Sequence, residues 1–367
     1  MTRGSLRIYG FVRKGIEQAK AAASAGRQRM RAAAIAFRKP SLLEQQTETK
    51  KATIVLATDW GADGAETNIE SQIEALSSGL GMDVSIKRIP GFAPLSSPLP
   101  CAVELDRIIT THRITSELLV RTLRNEGLPD GEIRKRLSLL TLVNVFDRKV
   151  GSGRVAGIVK GYMPLLDGEF TIQVNLIGPL NNGIIRALSR RLRDCQCHEL
   201  ANPEFQVDEL GCKTWDGRAK FGPAAVFSSY GISPSEFGPG IDLGAFPEIS
   251  FRASMDGTIA EVPVVTVDEI GNLVTGIDNG SLGGLGEILS LSGPHGSLLA
   301  RKGEKFDDVP EGEAVFYAGS KGLIEVAVNM GSAAESLGIG PGSLELDGGE
   351  SALILRAKNM GSITVAA

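Results

Sequence analysis

This 367-residue chain is short of histidine, cysteine and aromatic residues: three His, four Cys, and Phe, Trp and Tyr at 5% together. It has no apolar run long enough to cross a membrane, which excludes a helical span. It also lacks a net positive charge, and the formal total of −4 hides an asymmetry. Residues 1–43 carry ten Lys/Arg and one acid, Glu17, which leaves 29 basic and 42 acidic residues for 44–367, near −13. An acidic body of that size argues against nucleic acid as a partner.

Cysteine usage excludes more than it suggests. Cys195-Gln-Cys197-His198, with Cys212 further on, has one residue between its paired thiols, whereas structural zinc sites usually have at least two. Adjacent Cys197 and His198 would strain a shared tetrahedron. The expectation is free thiols in a reducing compartment and no metal. A dinucleotide fingerprint is missing too. Gly151-x-Gly153-x-x-x-Gly157 follows a buried run, but its spacing is wrong and no clear helix follows, so a dinucleotide oxidoreductase is disfavoured.

The basic head, residues 1–50, is rich in Ala and Arg and almost free of acids. That is the composition of an organelle transit peptide, for a mitochondrion or plastid, without the apolar core of a secretory signal. The other readings are a disordered basic tail or a bacterial extension, which would leave the protein cytoplasmic. A polar linker, Glu44–Lys51, follows.

Residues 52–232 read as an α/β domain. Thr53–Ala57 is a buried-type strand, Glu66–Leu80 a helix with Ile69, Ile73 and Leu76 on one face, and Asp83–Ile89 an alternating strand. Pro90–Pro100 reads as a loop, Glu117–Arg124 and Gly131–Leu137 as helices, Leu139–Phe146 and Thr171–Leu176 as strands, and Ile184–Arg193 as a basic helix. Strands alternating with helices predict a largely parallel sheet covered on both faces. From about Ser233 helices nearly vanish. Short strands recur at Glu248–Ala253, Thr258–Val265, Ala314–Ala318, Leu323–Val328, Ala352–Ala357 and Ile363–Ala366. Residues 245–367 therefore read as a mostly β domain, a small barrel.

Several groups are placed where chemistry happens. Asp59 ends the first buried strand, where ligands bind in open α/β sheets, and an ionised Asp can accept both hydroxyls of a ribose. It can equally cap a helix. Asp147 and Arg154 follow the Leu139–Phe146 strand and can form an ordinary ion pair. Gly178-Pro179-Leu180-Asn181-Asn182-Gly183 is a turn after a strand. In the β domain, Gly319-Ser320-Lys321-Gly322 is the tight turn of a hairpin, and Ser332 caps a short helix ending near Gly338.

These segments, in this order, resemble the S-adenosylmethionine (SAM) hydroxide adenosyltransferases, hydrolytic relatives of the SAM-dependent fluorinase and chlorinase. The family's first strand ends in Thr-Asp-aromatic-Gly, as Thr58-Asp59-Trp60-Gly61 does here, although its further Asp falls at Gly64 with Asp63 one place early. Its Asp-Pro-Gly-Val-Gly-Thr-x-Arg becomes Asp147-Arg148-Lys149-Val150-Gly151-Ser152-Gly153-Arg154, and its Gly-Pro-Asp-Asn-Gly turn gains one residue at 178–183. Its Thr-Phe-His-Gly-Arg segment is Thr214-Trp215-Asp216-Gly217-Arg218, so a carboxylate stands where the family has histidine. Asp268, Gly271 and Asn272 match Asp-x-Phe-Gly-Asn, with Ile270 for Phe.

The resemblance implies a fluorinase-like fold and hydrolysis of SAM to adenosine and methionine, without a cofactor. Asp147, Arg154 and Asp216 would handle water. Asp59, Trp60, Trp215, Asn182, Asp268, Asn272, Ser320 and Lys321 would bind substrate. It further implies a homotrimer with each site between subunits. The competing expectation is a SAM- or adenosine-binding protein that has lost turnover. His112 reads as structural.

Overall fold

The computed structural model describes residues 51–57, 65–89, 99–145, 155–207, 217–249, 259–293, 296–339, 354–355 and 362–366. Its N-terminal half is one six-stranded sheet. Strand β1 is Lys51–Ala57, β2 Asp83–Ile89, β3 Leu139–Asn144, β4 Ala156–Leu165, β5 Phe170–Pro179 and β6 Arg193–Glu199, in the spatial order β2-β1-β3-β5-β4-β6. The first four neighbours in that order run parallel, while β4 is antiparallel to both β5 and β6.

The apolar periodicity of Ile69, Ile73 and Leu76 gives helix α1, Ala65–Gly79, and all three side chains are fully buried on one face of the sheet. Helix α5, Gly222–Tyr230, lies on the same face. On the other face are α2, Leu99–Asn125, α3, Asp130–Arg136, and α4, Ile184–Ser189.

Helix α2 is far longer than Glu117–Arg124, and it takes in Pro100 from the segment that reads as a loop. Pro100 is accommodated because the first turn of a helix leaves its N–H groups unpaired anyway. The period is obscured because α2 exposes Ile114 and Leu118 while burying Leu105, Ile109 and Val120. The basic helix expected over Ile184–Arg193 stops at Ser189, and Arg193 opens edge strand β6. Pairing with β4 outweighs the polar composition of Arg193–Glu199.

The C-terminal half is a closed barrel. Strand β7, Glu248–Ile249, leads into it and pairs with β14, Ile354–Leu355. The barrel strands are β8 Ile259–Val267, β9 Leu273–Asp278, β10 Ile288–Ser292, β11 Ser297–Lys302, β12 Ala314–Ala318, β13 Leu323–Val328 and β15 Ser362–Ala366. Their order is β10-β11-β12-β13-β9-β8-β15, closed by β10 on β15. The β12–β13 hairpin spans the expected residues. Ser332 caps α6, Ala333–Leu337, by accepting from the Glu335 N–H, and Gly338 ends it at φ +69°. Val265, Val274 and Leu323 of the barrel belong to the apolar cluster beneath α2, so the two halves share a core. Among the described residues no helix is long and apolar enough to cross a membrane.

Candidate functional site

In a parallel sheet, loops that leave adjacent strands emerge on one edge. Strands β1, β3 and β5 are consecutive neighbours, so about 10 Å separates the first from the last. Asp59 and Trp60 follow β1, Asp147 and Arg154 lie between β3 and β4, and Trp215 and Asp216 precede Gly217. These six residues lie outside the described ones, but the segments that anchor them do not. The Val145 N–H donates to the Ala57 carbonyl at 2.8 Å, which joins the points where the first two loops depart. The segment 208–216 is held at both ends, since the Val207 N–H donates to the Ala219 carbonyl at 2.8 Å.

Ala219 lies in a π-helix, Gly217–Phe221, running directly into α5. A π-helical turn is rare and often marks a functional position. Two features seat it. Gly222 lies so close to α1 that a Cβ there would stand 2.7 Å from Gln72 Oε1. Further along, Ser229 and Thr141 share a hydrogen bond at 2.8 Å, and the Asn175 amide donates to Thr141 at 3.0 Å. Thr141, Asn175 and Ser229 are fully buried and tie α5 to β3 and β5. Gln72 is buried as well, yet among the described residues neither its amide nitrogen nor its oxygen has a partner.

The turn after β5 is described in full. Gly178 packs against β3 so tightly that a Cβ would stand 2.5 Å from the Asn144 carbonyl oxygen. Asn182 is buried, and its Oδ1 accepts from the Ile184 N–H at 3.1 Å. Its oxygen therefore caps α4. Asn181, which the motif comparison does not single out, has the longer reach: its Oδ1 accepts from the Val155 N–H at 2.8 Å. The one signal for it in the sequence is the extra residue in the Gly178–Gly183 turn.

In the barrel, Asp268 and Asn272 hold each other. Asp268 Oδ1 accepts from the Ile270 and Asn272 N–H groups at 3.0 and 2.8 Å, and Oδ2 accepts from the Asn272 amide at 2.9 Å. Gly271, at φ +87°, presses on Ser332, and its carbonyl accepts from the Ala334 N–H at 3.0 Å. The turn is thus fastened to α6. Ser320 is exposed and Lys321 half-exposed, on a turn braced by the Asn279 amide, which donates to the Gly319 carbonyl at 2.8 Å. Between these turns lies Tyr317, whose phenol is pushed up to about 12 by burial and by the negative charges of Glu325 and Asp268.

Among the described residues, Ser320 and Lys321 lie apart from the Gly178–Gly183 turn. Ser320 and Lys321 line a cavity of about 650 Å³ against α2, with Arg107, Arg113, Met163 and Pro164. Met163 pairs with Ile172, whereas Ala156 pairs with Pro179. Seven residues of strand, about 23 Å, therefore separate the Lys321 turn from the loop edge.

Histidine takes no part in this arrangement where it is described. His112 Nε2 hydrogen-bonds the Ser138 carbonyl at 3.1 Å, and burial lowers its pKa. His198 Nδ1 meets the Gly238 carbonyl at 3.0 Å. His295 and Cys212 lie outside the described residues. Burial, with Cys195 and Asp242 nearby, pushes the Cys197 thiol up to about 12. Among the described residues no cluster of His, Cys, Asp and Glu is arranged to hold a metal.

Residues 262–344 match the family model for the SAM hydroxide adenosyltransferase C-terminal domain. A relative from Salinispora arenicola, named (R)-S-adenosyl-L-methionine hydrolase, is 30% identical over 229 residues, covering 59% of this chain and 81% of its own. The chain belongs to the SAM hydrolase family. A relative of the same name from Thermus thermophilus is 36% identical over 132 residues, 36% of this chain and 48% of its own, so that match spans about half of the relative. Another, from Salinispora tropica, is 32% identical over 46% of this chain and 62% of its own. Two crystal structures share the fold. One is an uncharacterized conserved protein from Thermotoga maritima, with TM-score 0.58 and 18% identity. The other is a conserved hypothetical protein from Thermus thermophilus, with TM-score 0.52 and 21% identity. Each match covers 86% of this chain and 100% of the other. The family model's span includes Asp268, Asn272, Ser320 and Lys321.

Proposed function

We propose that this SAM hydrolase family member cleaves S-adenosyl-L-methionine to adenosine and L-methionine by attack of water at the ribose 5′ carbon. The observation that carries this reading is the convergence of the β1, β3 and β5 loops on one sheet edge in a chain of this family. As the C5′–O bond forms, the C5′–S bond breaks and its electron pair neutralises the sulfonium. The leaving group needs no acid, and the proposal includes no cofactor. The protein must align water behind the carbon, strip its solvation and accept one proton.

In this proposal Asp59, Trp60, Asn182, Asp268 and Asn272 bind the nucleoside. Trp215 walls the pocket, and Asp147, Arg154 and Asp216 hold and deprotonate the water. An Asp can serve as that base where a second carboxylate and burial raise its pKa. Two carboxylates also repel an anionic nucleophile, which disfavours halide.

Ser320 and Lys321 meet the substrate's amino-acid end. Their distance from the loop edge within one chain supports a homo-oligomer in which a neighbour's barrel completes each site; its proposed number, three, rests on the family resemblance. Residues 1–50 are proposed as a transit peptide for a mitochondrion or plastid.

A second reading rests on one observation, Asp216 in place of histidine: a protein that binds SAM or adenosine without turnover. Incubation of purified protein with SAM, followed by chromatography, separates the two. Adenosine above the enzyme-free control supports hydrolysis; tight binding without adenosine supports the binder. With activity present, Asp147→Asn is expected to lower kcat at least about 100-fold. Unchanged turnover would remove Asp147 from the site.

A further inference from the structure

Both backbone polar groups of Val155 are taken by the turn after β5. Its N–H donates to Asn181 Oδ1 at 2.8 Å, and its carbonyl accepts from the Leu180 N–H at 2.9 Å. The next residue, Ala156, begins β4 opposite Pro179. Val155 is where the chain returns to the sheet after 146–154, one residue after Arg154.

The turn is a firm base for such a grip. Leu180 and Asn182 are buried, and Leu180 fills the space beside Gly157, where a Cβ would meet it at 2.7 Å. Gly183 adopts φ +78°, and its carbonyl accepts from the Ile249 N–H at 3.3 Å. Asn182 Oδ1 accepts from the Ile184 N–H. Asn181 sends its side chain across to the start of the neighbouring strand. Its bond spans 26 residues of sequence.

We propose that Asn181 is a positioning residue: by holding the Val155 N–H it fixes the point where the chain enters β4, one residue after Arg154 in sequence. This rests on the hydrolysis reading for its catalytic consequence, though not for the clamp itself. Loss of the acceptor leaves the half-buried Val155 N–H unpaired and loosens the start of β4. A displacement of about 1 Å at reacting groups costs on the order of 100-fold in rate.

The test uses Asn181→Leu, which removes the acceptor, and Asn181→Asp, which keeps an oxygen in the same place. Turnover of SAM and hydrogen exchange are read on both folded proteins. The expected result is a fall in kcat of about 10- to 100-fold for Asn181→Leu, with KM changed less than about threefold, and near-normal kcat for Asn181→Asp. Exchange at the Val155 amide should quicken in Asn181→Leu and not in Asn181→Asp, with β12 and β13 unchanged in both. Equal damage in the two variants, or a rise in KM alone, would overturn the assignment in favour of direct substrate contact. If the wild-type protein shows no turnover, the hydrolysis reading fails, and the clamp stands or falls on the Val155 exchange rate alone.

Discussion

The Asp268–Asn272 turn of the barrel and the Gly178–Gly183 turn of the sheet are both built on Asx side chains, yet they close differently. Asp268 spends its carboxylate on partners two and four residues away. Asn181 spends its amide oxygen on a partner 26 residues away. The first turn closes its side-chain bonds on itself and is fastened to α6, whereas the second is a junction that holds the start of β4. A motif that closes on itself keeps its shape wherever the fold places it. A junction has meaning only once the sheet has formed.

The comparison can be broken at either end. The largest effect is expected from Gly178→Ala, which drives a methyl group toward the Asn144 carbonyl oxygen where β5 passes β3. Backbone cannot move aside as a side-chain tip can, so a loss of about 3 kcal/mol and of turnover is expected, measured by denaturant unfolding and SAM consumption. Asp268→Ala should cost about 2 kcal/mol by freeing three donors at once. Its damage should stay local, with faster exchange in β8, β9 and α6 and unaltered exchange at Val155. Spread of the effect to Val155 would show that the barrel turn's influence reaches beyond β8, β9 and α6.

Gln72→Leu should act in the opposite direction. Replacing a buried, unpartnered amide by an apolar side chain of similar size is expected to raise stability by about 1 kcal/mol. A loss of stability instead would mean that the amide is satisfied, for instance by a bound water.

The smallest effect concerns pH. His112 has its pKa lowered from the usual 6.5, chiefly by burial, so the folded state favours the neutral ring. That preference is fully present above the unfolded value and is lost as pH falls through and below 6.5. His112→Gln should therefore show a shallower decline in Tm than the wild type as pH falls from about 7 to about 5. Parallel curves would exclude this histidine as the source.

Most of the alternation of strand and helix is readable in the sequence because buried parallel strands such as Thr53–Ala57 and the periodic face of α1 carry strong local patterns. Helix α2 reads too short because Ile114 and Leu118 stand exposed and blur the period. Strand β4 escapes the pattern: two glycines within it look like loop residues, but Gly157 and Gly161 make room for Leu180 and Leu192. Among the site residues, Asp268, Asn272, Ser320 and Lys321 sit in legible turns. Asn181, Gln72 and the Thr141–Asn175–Ser229 network carry little or no local signal, since their surroundings are built from residues distant in sequence.

Short-range pattern was thus enough for the two-part architecture and the barrel hairpin with its capped helix, and matching short motifs carried the family resemblance. Their determinants lie within a few residues of each other. The order β2-β1-β3-β5-β4-β6, the gathering of three loop anchors on one edge and the separation of the Lys321 turn from that edge were decided by strand pairing and core packing. Those choices depend on which surfaces bury each other, and neighbouring residues in the chain do not record that.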